Sequence, residues 1–418
     1  MSSRPDAQRV VITGMGALSS LGTTAMENWE AMQAGRCGIR LLETIDPTTL
    51  CLPPNASLQI GSLAPLSAID WAQHFTEAEL RQRDPVTRMA VVAAREAWRN
   101  AGLSAPLERS HHCGVILGTS AGGAHTQATA LQRLLLEGRA TIHPLTIPRG
   151  MPSAVASHVA AALGAGGVSF VVNSACASAT HALGVATGMI RAGMLESAVA
   201  GGAEASLTYW ELKGWEALRV TSPDWCRPFS TGRQGMVLGE GAAMFVLERL
   251  DRARARGAPL WCEIEGFGCT TDRDADLLQP DPEGIAHAMA AALGDAELRK
   301  EAIDLIQAHG TGTVWNDRQE SLAIHGLFGE LTQKIAVSAA KSLLGHTLGA
   351  SGALELIPAI MALATGILAP TIHHLGPDPE CDLNVTPDRA VSRPVRHALK
   401  NSIAFGGINA VLLIGAVA

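Results

Sequence analysis

Cys176 stands in the run Asn-Ser-Ala-Cys-Ala-Ser, with apolar residues before it and small residues after it. Gly167 to Val172 reads as a strand, and Ala177 to Met194 as a helix ending near Gly193. A thiol at a helix N-terminus sits in partial positive charge, which favours thiolate over thiol. A nucleophile set this way suggests covalent catalysis, with its base or charge stabilisers supplied by distant segments. The competing reading is a buried cysteine that acts only as a small hydrophobe.

Three other segments carry polar groups suited to such chemistry. His309 follows the strand Leu305 to Ala308 and opens His-Gly-Thr-Gly-Thr, which presents an imidazole and two hydroxyls, Thr311 and Thr313. Lys341 and His346 flank Ser-Leu-Leu-Gly, ahead of a glycine-rich turn that lets backbone approach closely. Phe405-Gly406-Gly407 lies beside a strand, where a Gly-Gly turn can aim N–H groups at a developing oxyanion.

Other motifs compete. Gly14-Met-Gly16 follows Val10-Val11-Ile12, which leads into a glycine turn, but Ser19 stands where a dinucleotide fingerprint needs its third glycine. Gly118-Thr-Ser120-Ala-Gly122 matches the nucleophile elbow of serine hydrolases, so hydrolysis through Ser120 is a rival function. His111-His112-Cys113 is adjacent in sequence, and adjacent residues seldom converge on one ion, so no metal site is expected.

These groups need a frame to position them. The 418 residues are 47% hydrophobic and only 4% aromatic, so a large core packs through small side chains. Strand-like and helical runs alternate: Arg9–Thr13, Arg88–Ala101 (helix), Val115–Leu117, Ala198–Gly201, Ala242–Leu247, Trp261–Ile264, Ile335–Val337, Ser402–Ala404 and Ala410–Ile414. That alternation predicts an α/β protein. The charged run Arg249 to Gly257 reads as a solvated helix and divides the chain into halves at 1–256 and 257–418. One internal echo supports two similar halves. Phe170 to Cys176 and Ile335 to Lys341 both run strand, Ser-Ala, loop, small-residue helix, the second helix spanning about Gly349 to Thr365.

Net charge is −7 without a basic tract, which argues against nucleic acid. Eight cysteines without a Cys-x-x-Cys pair, and no secretory signal before the first strand, predict free thiols in the cytoplasm. The first nine residues are polar and expected to fray. The longest apolar stretch, Val159 to Val172, is too short and glycine-rich to span a membrane.

Taken together, Val11-Ile-Thr-Gly-Met-Gly16, Asn173 to Ser178, His309 to Thr313, Lys341 to His346 and Asn401 to Asn409 resemble the β-ketoacyl-acyl carrier protein synthases. These are elongating ketosynthases of the thiolase superfamily, and the resemblance covers nearly the whole chain. It implies a thiolase-like five-layered αβαβα fold from two pseudo-repeated halves. It implies a homodimer with the strand before Cys176 at the interface, or a heterodimer with a related subunit. Cys176 would accept the acyl chain, while His309 and His346 would assist malonyl decarboxylation. Lys341 would support them, paired with Glu320. The N–H groups of Cys176 and Phe405 would form an oxyanion hole, Thr311 and Thr313 would bind phosphopantetheine, and Phe405 would gate the acyl pocket. No cofactor is implied, since phosphopantetheine arrives on the carrier protein.

The acidic carrier would dock on a basic patch, for which Arg81, Arg83, Arg88, Arg133 and Arg139 are the candidates. Where many relatives carry proline after the threonines, Val314-Trp315 stands here, and Ile403-Ala404 and Ile408 surround Phe-Gly-Gly. The loop Thr271 to Pro280 resembles the synthase I type. The implied reaction serves fatty acid, polyene or polyketide synthesis. A non-catalytic chain-length subunit of the same fold is the alternative, against which Cys176 and both histidines argue.

Overall fold

Two glycine pairs show how the frame is built. In the computed structural model, which describes residues 4–53, 56–104, 111–273 and 277–417, the strands of the main sheet are β1 (Val10–Leu18), β2 (Cys113–Gly118), β3 (Ser169–Val172), β4 (Ser197–Glu204), β5 (Gly241–Arg249), β6 (Cys262–Thr271), β7 (Leu305–Gln307), β8 (Ala336–Ser338), β9 (His397–Ala404) and β10 (Ile408–Gly415). The helices that position the site are α1 (Pro85–Asn100), α2 (Ser153–Leu163), α3 (Ser178–Arg191), α4 (Pro282–Asp295), α5 (Val314–Phe328) and α6 (Leu356–Thr365). Gly14 and Gly16 in β1 lie against α1, where a Cβ would overlap the carbonyl oxygens of Ala97 and Ala93. Gly266 and Gly268 in β6 lie against α4 in the same way, facing the carbonyls of Ala292 and Ala288. Gly14-Met-Gly16 is therefore no turn: the strand runs through it to Leu18.

The order across the sheet is β8-β7-β9-β10-β6-β1-β5-β4-β2-β3. Numbered within its own half, each side reads 3-2-4-5-1 outward to inward. The senses match too: β2 pairs parallel with β3 and β4, and β7 pairs parallel with β8 and β9. The halves meet where Val10–Ile12 pairs antiparallel with Cys262–Ile264. Both α1 and α4 begin Asp-Pro: Asp84 accepts the Val86 N–H at 3.1 Å, and Asp281 accepts the Glu283 N–H at 3.0 Å. Proline suits the first helical position, where its missing N–H costs nothing.

Helices α1 and α2 cover one half-sheet, and α4 and α5 cover the other. Between the half-sheets lie α3 and the helical segment Ser351–Thr365, giving five layers, α-β-α-β-α. Strands covered on both faces read as continuous apolar runs, as β5 does from Gly241 to Leu247. The middle layer explains the shortage of aromatics. At Gly184 of α3 a Cβ would press on the Phe267 ring, so small residues let the sheets close on the helices. Leu348–Thr365 is long and apolar enough to cross a membrane, yet 83% of it is buried inside the protein as core.

Several strands run beyond the sequence expectations, β1 to Leu18, β6 to Thr271 and β9 from His397, because strands extend wherever a neighbour offers hydrogen bonds, whereas β3 and α3 are shorter than expected. The N-terminal residues expected to fray are tied down from Arg4 onward. Arg4 donates to Glu265 O at 2.8 Å, and Arg9 pairs with Glu263 at 2.6 Å. Residues 274–276 of the Thr271–Pro280 loop lie outside the described residues.

Gly16→Ala is expected to destabilise the protein by at least about 1–3 kcal/mol in urea unfolding, because neither β1 nor the α1 backbone can retreat. Gly188→Ala, mid-helix in α3 with nothing within 4 Å of the new Cβ, should be neutral or gain up to about 1 kcal/mol. Equal effects at both positions would refute the packing argument.

Candidate active site

Cys176 occupies a short 3-10 turn, Ala175–Ala177, that joins β3 to α3. Ala175 before it holds φ +49, a left-handed conformation rare for a side chain with Cβ. The turn is braced by Ser178, whose Oγ donates to Ala175 O at 2.6 Å and accepts the Ser174 N–H at 2.9 Å. Gly118, at the end of β2, lets α3 begin against the sheet: a Cβ there would collide with the Ser178 and Ala179 backbone. The Cys176 N–H lies in the first turn, where no intrahelical carbonyl is available to it.

His309 follows β7 on a loop held from below by α5. Glu320 accepts the N–H groups of His309 at 2.8 Å and Gly310 at 2.9 Å, and Asp317 accepts that of Gly312 at 3.2 Å. Gly310 and Gly312 take φ +44 and +75, which the tight loop needs. Thr311 and Thr313 share a hydroxyl contact of 2.8 Å. Lys341 opens a short helix after β8.

The expected pairing of Lys341 with Glu320 does not form. Lys341 Nζ meets Glu355 Oε1 at 2.6 Å and donates to His309 O at 2.6 Å and His309 Nδ1 at 3.2 Å. Glu355 reaches Lys400 with its other oxygen at 3.0 Å, and all three side chains are fully buried. Glu320 is already occupied by backbone N–H groups and by Asn401 Nδ2 at 3.0 Å. Glu355 and Lys400 escaped the sequence reading. The available signal was a lone carboxylate in the apolar stretch Leu348–Thr365, which burial obliges to find a cation.

His346 Nε2 lies 3.2 Å from Cys176 Sγ, and the two imidazoles meet edge to face with centroids 5.3 Å apart. The hydrogen bonds fix their tautomers. His346 Nδ1 faces the Leu348 N–H at 3.3 Å, and His309 Nδ1 faces the Lys341 ammonium at 3.2 Å. Both partners donate, so each Nδ1 accepts and each Nε2 carries the hydrogen. Burial first, then the Lys341 charge, hold both imidazoles well below the ordinary histidine range. The site therefore presents two neutral N–H donors.

The thiol differs from the sequence expectation. Burial pushes Cys176 up to about 12, with Lys341 the largest opposing influence. Displacement from an ordinary thiol near 9 to about 12 is worth ~4 kcal/mol. A helix terminus supplies at most ~2 kcal/mol, so desolvation wins and the resting form is the thiol. Alkylation of Cys176 by iodoacetamide, followed by peptide mass, should quicken about tenfold per pH unit from 7 to 9. A plateau near pH 7 would instead reveal a thiolate.

Cys176, His309, His346, Thr311, Thr313 and Phe405 line one cavity, so the sequence-selected groups converge. Trp215, Met236, Leu277 and Asn316, which the sequence reading missed, line it too. Phe405 sits in the hairpin between β9 and β10, 5.9 Å from the Trp215 ring. Asp272 donates its N–H to Gly407 O at 2.8 Å, and Leu277 O accepts the Gly406 N–H at 3.1 Å, so the loop after β6 holds the hairpin.

Other expectations fail for physical reasons. The Ser120 hydroxyl donates to the buried Glu204, which also accepts the N–H groups of Ser120 at 2.7 Å and Gly349 at 3.1 Å. That carboxylate knits the two halves together, and no histidine bonds to Ser120 among the described residues, so the elbow motif is structural. Arg83 is buried against the Phe75 ring and Glu79. Arg88 is half-buried and donates inward to Leu80 O and Arg83 O. Arg81 and Arg139 are exposed beside Glu77 and Glu137, Arg133 is exposed, and none of the five lines this cavity. Among the described residues no group of three or more His, Cys, Asp or Glu is placed to hold a metal ion.

Known proteins resemble this chain over most of its length. The beta-ketoacyl synthase N-terminal domain matches residues 7–253 and its C-terminal domain residues 261–374. Nodulation protein E of Rhizobium sp. (strain N33) is 43% identical over 405 residues, 97% of this chain and 98% of that protein. 3-Oxoacyl-[acyl-carrier-protein] synthase 2 of Staphylococcus aureus (strain COL) is 37% identical over 412 residues, covering 97% and 98%. The solved ishigamide ketosynthase/chain length factor superposes with a TM-score of 0.91 at 34% identity, covering 98% of this chain and 99% of that one. A ten-stranded sheet of two repeated halves, with a cysteine and two neutral histidines converging where they meet, thus belongs to the β-ketoacyl synthase family, whose members join acyl units through carbon–carbon bonds.

Proposed function

We propose that the chain condenses malonyl-acyl carrier protein with an acyl chain held on Cys176, lengthening it by two carbons. The observation that carries this reading is the pair of neutral Nε2–H donors beside a cysteine at a helix start. In the first half-reaction the Cys176 sulfur attacks the carrier thioester, and its proton leaves with the carrier thiol. The tetrahedral oxyanion is stabilised by the Cys176 and Phe405 N–H groups. In the second, malonyl thioester loses CO2, and the electron pair of the broken C–C bond becomes an enolate.

His309 and His346 donate to the enolate oxygen. Protonated imidazoles would lose that selectivity for developing charge, so burial and Lys341 matter by keeping them neutral. The enolate carbon attacks the Cys176 thioester, expelling the thiolate, which takes up one proton from solvent. Atoms balance without a metal or redox cofactor, and alternation of two substrates at one site gives ping-pong kinetics.

Thr311 and Thr313 are assigned to the phosphopantetheine arm. The site at Cys176 must take an acyl chain, and the Phe405 ring lines it, 5.9 Å from that of Trp215. Phe405 is therefore assigned as a gate that must leave the Trp215 ring to admit one. Leu277, Val314 and Trp315 are 72%, 47% and 49% exposed around the mouth, which supports docking of the carrier there.

A second copy of the chain is the proposed partner. β3 is one of the two edge strands of the sheet, and Val168 beside it is 40% exposed, as an edge that pairs across a two-fold axis would be. A related subunit is the variant of this reading favoured by likeness to a ketosynthase/chain length factor. A cytoplasmic location suits the eight free thiols. Incubation with acyl- and malonyl-carrier protein should yield a β-ketoacyl-carrier product and CO2, and hydrolysis of the acyl thioester alone would overturn the reading.

A further inference from the structure

A cavity of about 270 Å3 that shares no lining residue with the one at Cys176 opens between the start of α1 and the segment 124–150. Arg88, Arg133 and Arg149 line it together with His143, and no aspartate or glutamate does among the described residues. Neither Arg133 nor Arg149 forms an ion pair with a described residue. The Asp84 carboxylate at the start of α1 is committed to backbone, accepting the N–H groups of Val86 at 3.1 Å and Thr126 at 2.7 Å.

Two donors in this cavity's wall are buried without a partner: Thr126 Oγ1, on a residue only 6% exposed, and Arg149 Nε. An orphaned buried donor is costly, and so are guanidinium groups crowded together. Burial holds Arg88 below its ordinary range, against the pull of Asp84, and the charges of Arg149 and Arg83 push it further down. Each of these costs falls if an anion enters. Guanidinium forks bind phosphate through paired charge-assisted hydrogen bonds, and a dianion matches two of them.

We propose that this cavity binds the phosphate group of a small phosphorylated molecule, with Arg133 and Arg149 holding its oxygens and the Thr126 hydroxyl donating to it. The assignment is independent of the condensing reaction, and it accounts for Arg133, an arginine that the cavity at Cys176 leaves unused. The geometry also gives Arg88 a supporting part, since its inward bonds to Leu80 and Arg83 fix one wall.

The test is calorimetric titration of the full chain with inorganic phosphate and, separately, with adenosine 3′,5′-bisphosphate, at constant ionic strength. One saturable site per chain is expected, weakened at least tenfold by Arg149→Gln and by Arg133→Gln and unchanged by Arg139→Gln. Tight binding of the bisphosphate alone would assign the site to an organic phosphate, and equal affinity to the free ion; both support it. Absence of saturable binding would overturn it, as would equal binding by the variants. So would variants that leave phosphate binding intact and only raise KM for carrier-borne substrate, which would make the arginines part of a protein footprint. If Arg149→Gln fails to fold, the exposed Arg133→Gln carries the comparison.

Discussion

Cys176→Ala is expected to abolish condensation, lowering the rate by at least about 10^4-fold, while leaving decarboxylation of malonyl-carrier protein measurable. Removing a covalent nucleophile from a catalytic set commonly costs up to ~10^6 in kcat, because the other members have nothing to act on. Here the two tasks are separable in space. In the proposed mechanism Cys176 holds the acyl chain and His309 and His346 stabilise the enolate, and neither imidazole depends on the sulfur for its tautomer. Product analysis with labelled malonyl-carrier protein distinguishes the outcomes: released CO2 without β-ketoacyl product is the expected pattern. A variant that still condenses would refute the role of Cys176. His309→Ala in the same assay should reduce decarboxylation by the ~10^2–10^3-fold typical of one lost oxyanion donor.

Glu355→Gln is expected to destabilise the protein by about 3–5 kcal/mol, the usual cost of leaving a buried charge without its partner. Glu355 is the counter-ion of two ammonium groups, and neither Lys341 nor Lys400 has any exposed surface from which to reach water. Burial, only partly opposed by Glu355, already holds Lys400 below its ordinary range. Loss of the carboxylate would drive at least one lysine to give up its proton. Lys341 would then lose its tether and His309 its fixed donor, so activity should fall with stability. Lys341→Met should cost less stability, because Glu355 keeps Lys400 at 3.0 Å. Urea and thermal unfolding of the two variants, beside decarboxylation rates, check this ordering. A Glu355→Gln protein within about 1 kcal/mol of wild type and fully active would contradict it.

The sequence was most legible where chemistry needs rare residue types. Cys176, His309, His346 and Lys341 stood out because a thiol, two imidazoles and an ammonium beside glycine-rich turns have few structural uses together. The layered α/β fold was legible from alternating apolar runs, and the repeat from the Ser-Ala echo after β3 and β8. What failed were assignments that depend on contacts between distant segments. Glu320 is an acid near His309 in sequence and took the role that belongs to Glu355, 14 residues beyond Lys341. Arg83 and Arg88 are charged in sequence yet turn inward in space. The glycine pair in β1 read as a turn because no sequence rule shows the helix that lies against it.

By itself, then, the chain determined its layered class, its four reactive side chains and the helix start at Cys176, since each follows from local residue order. Only the tertiary structure decided which carboxylate neutralises Lys341, which hydrogens the imidazoles carry and whether Cys176 rests as thiol. Those depend on burial and on partners up to 170 residues apart, such as Cys176 and His346. Charge and protonation are set by the surroundings that a fold assembles, and residue order alone does not contain them.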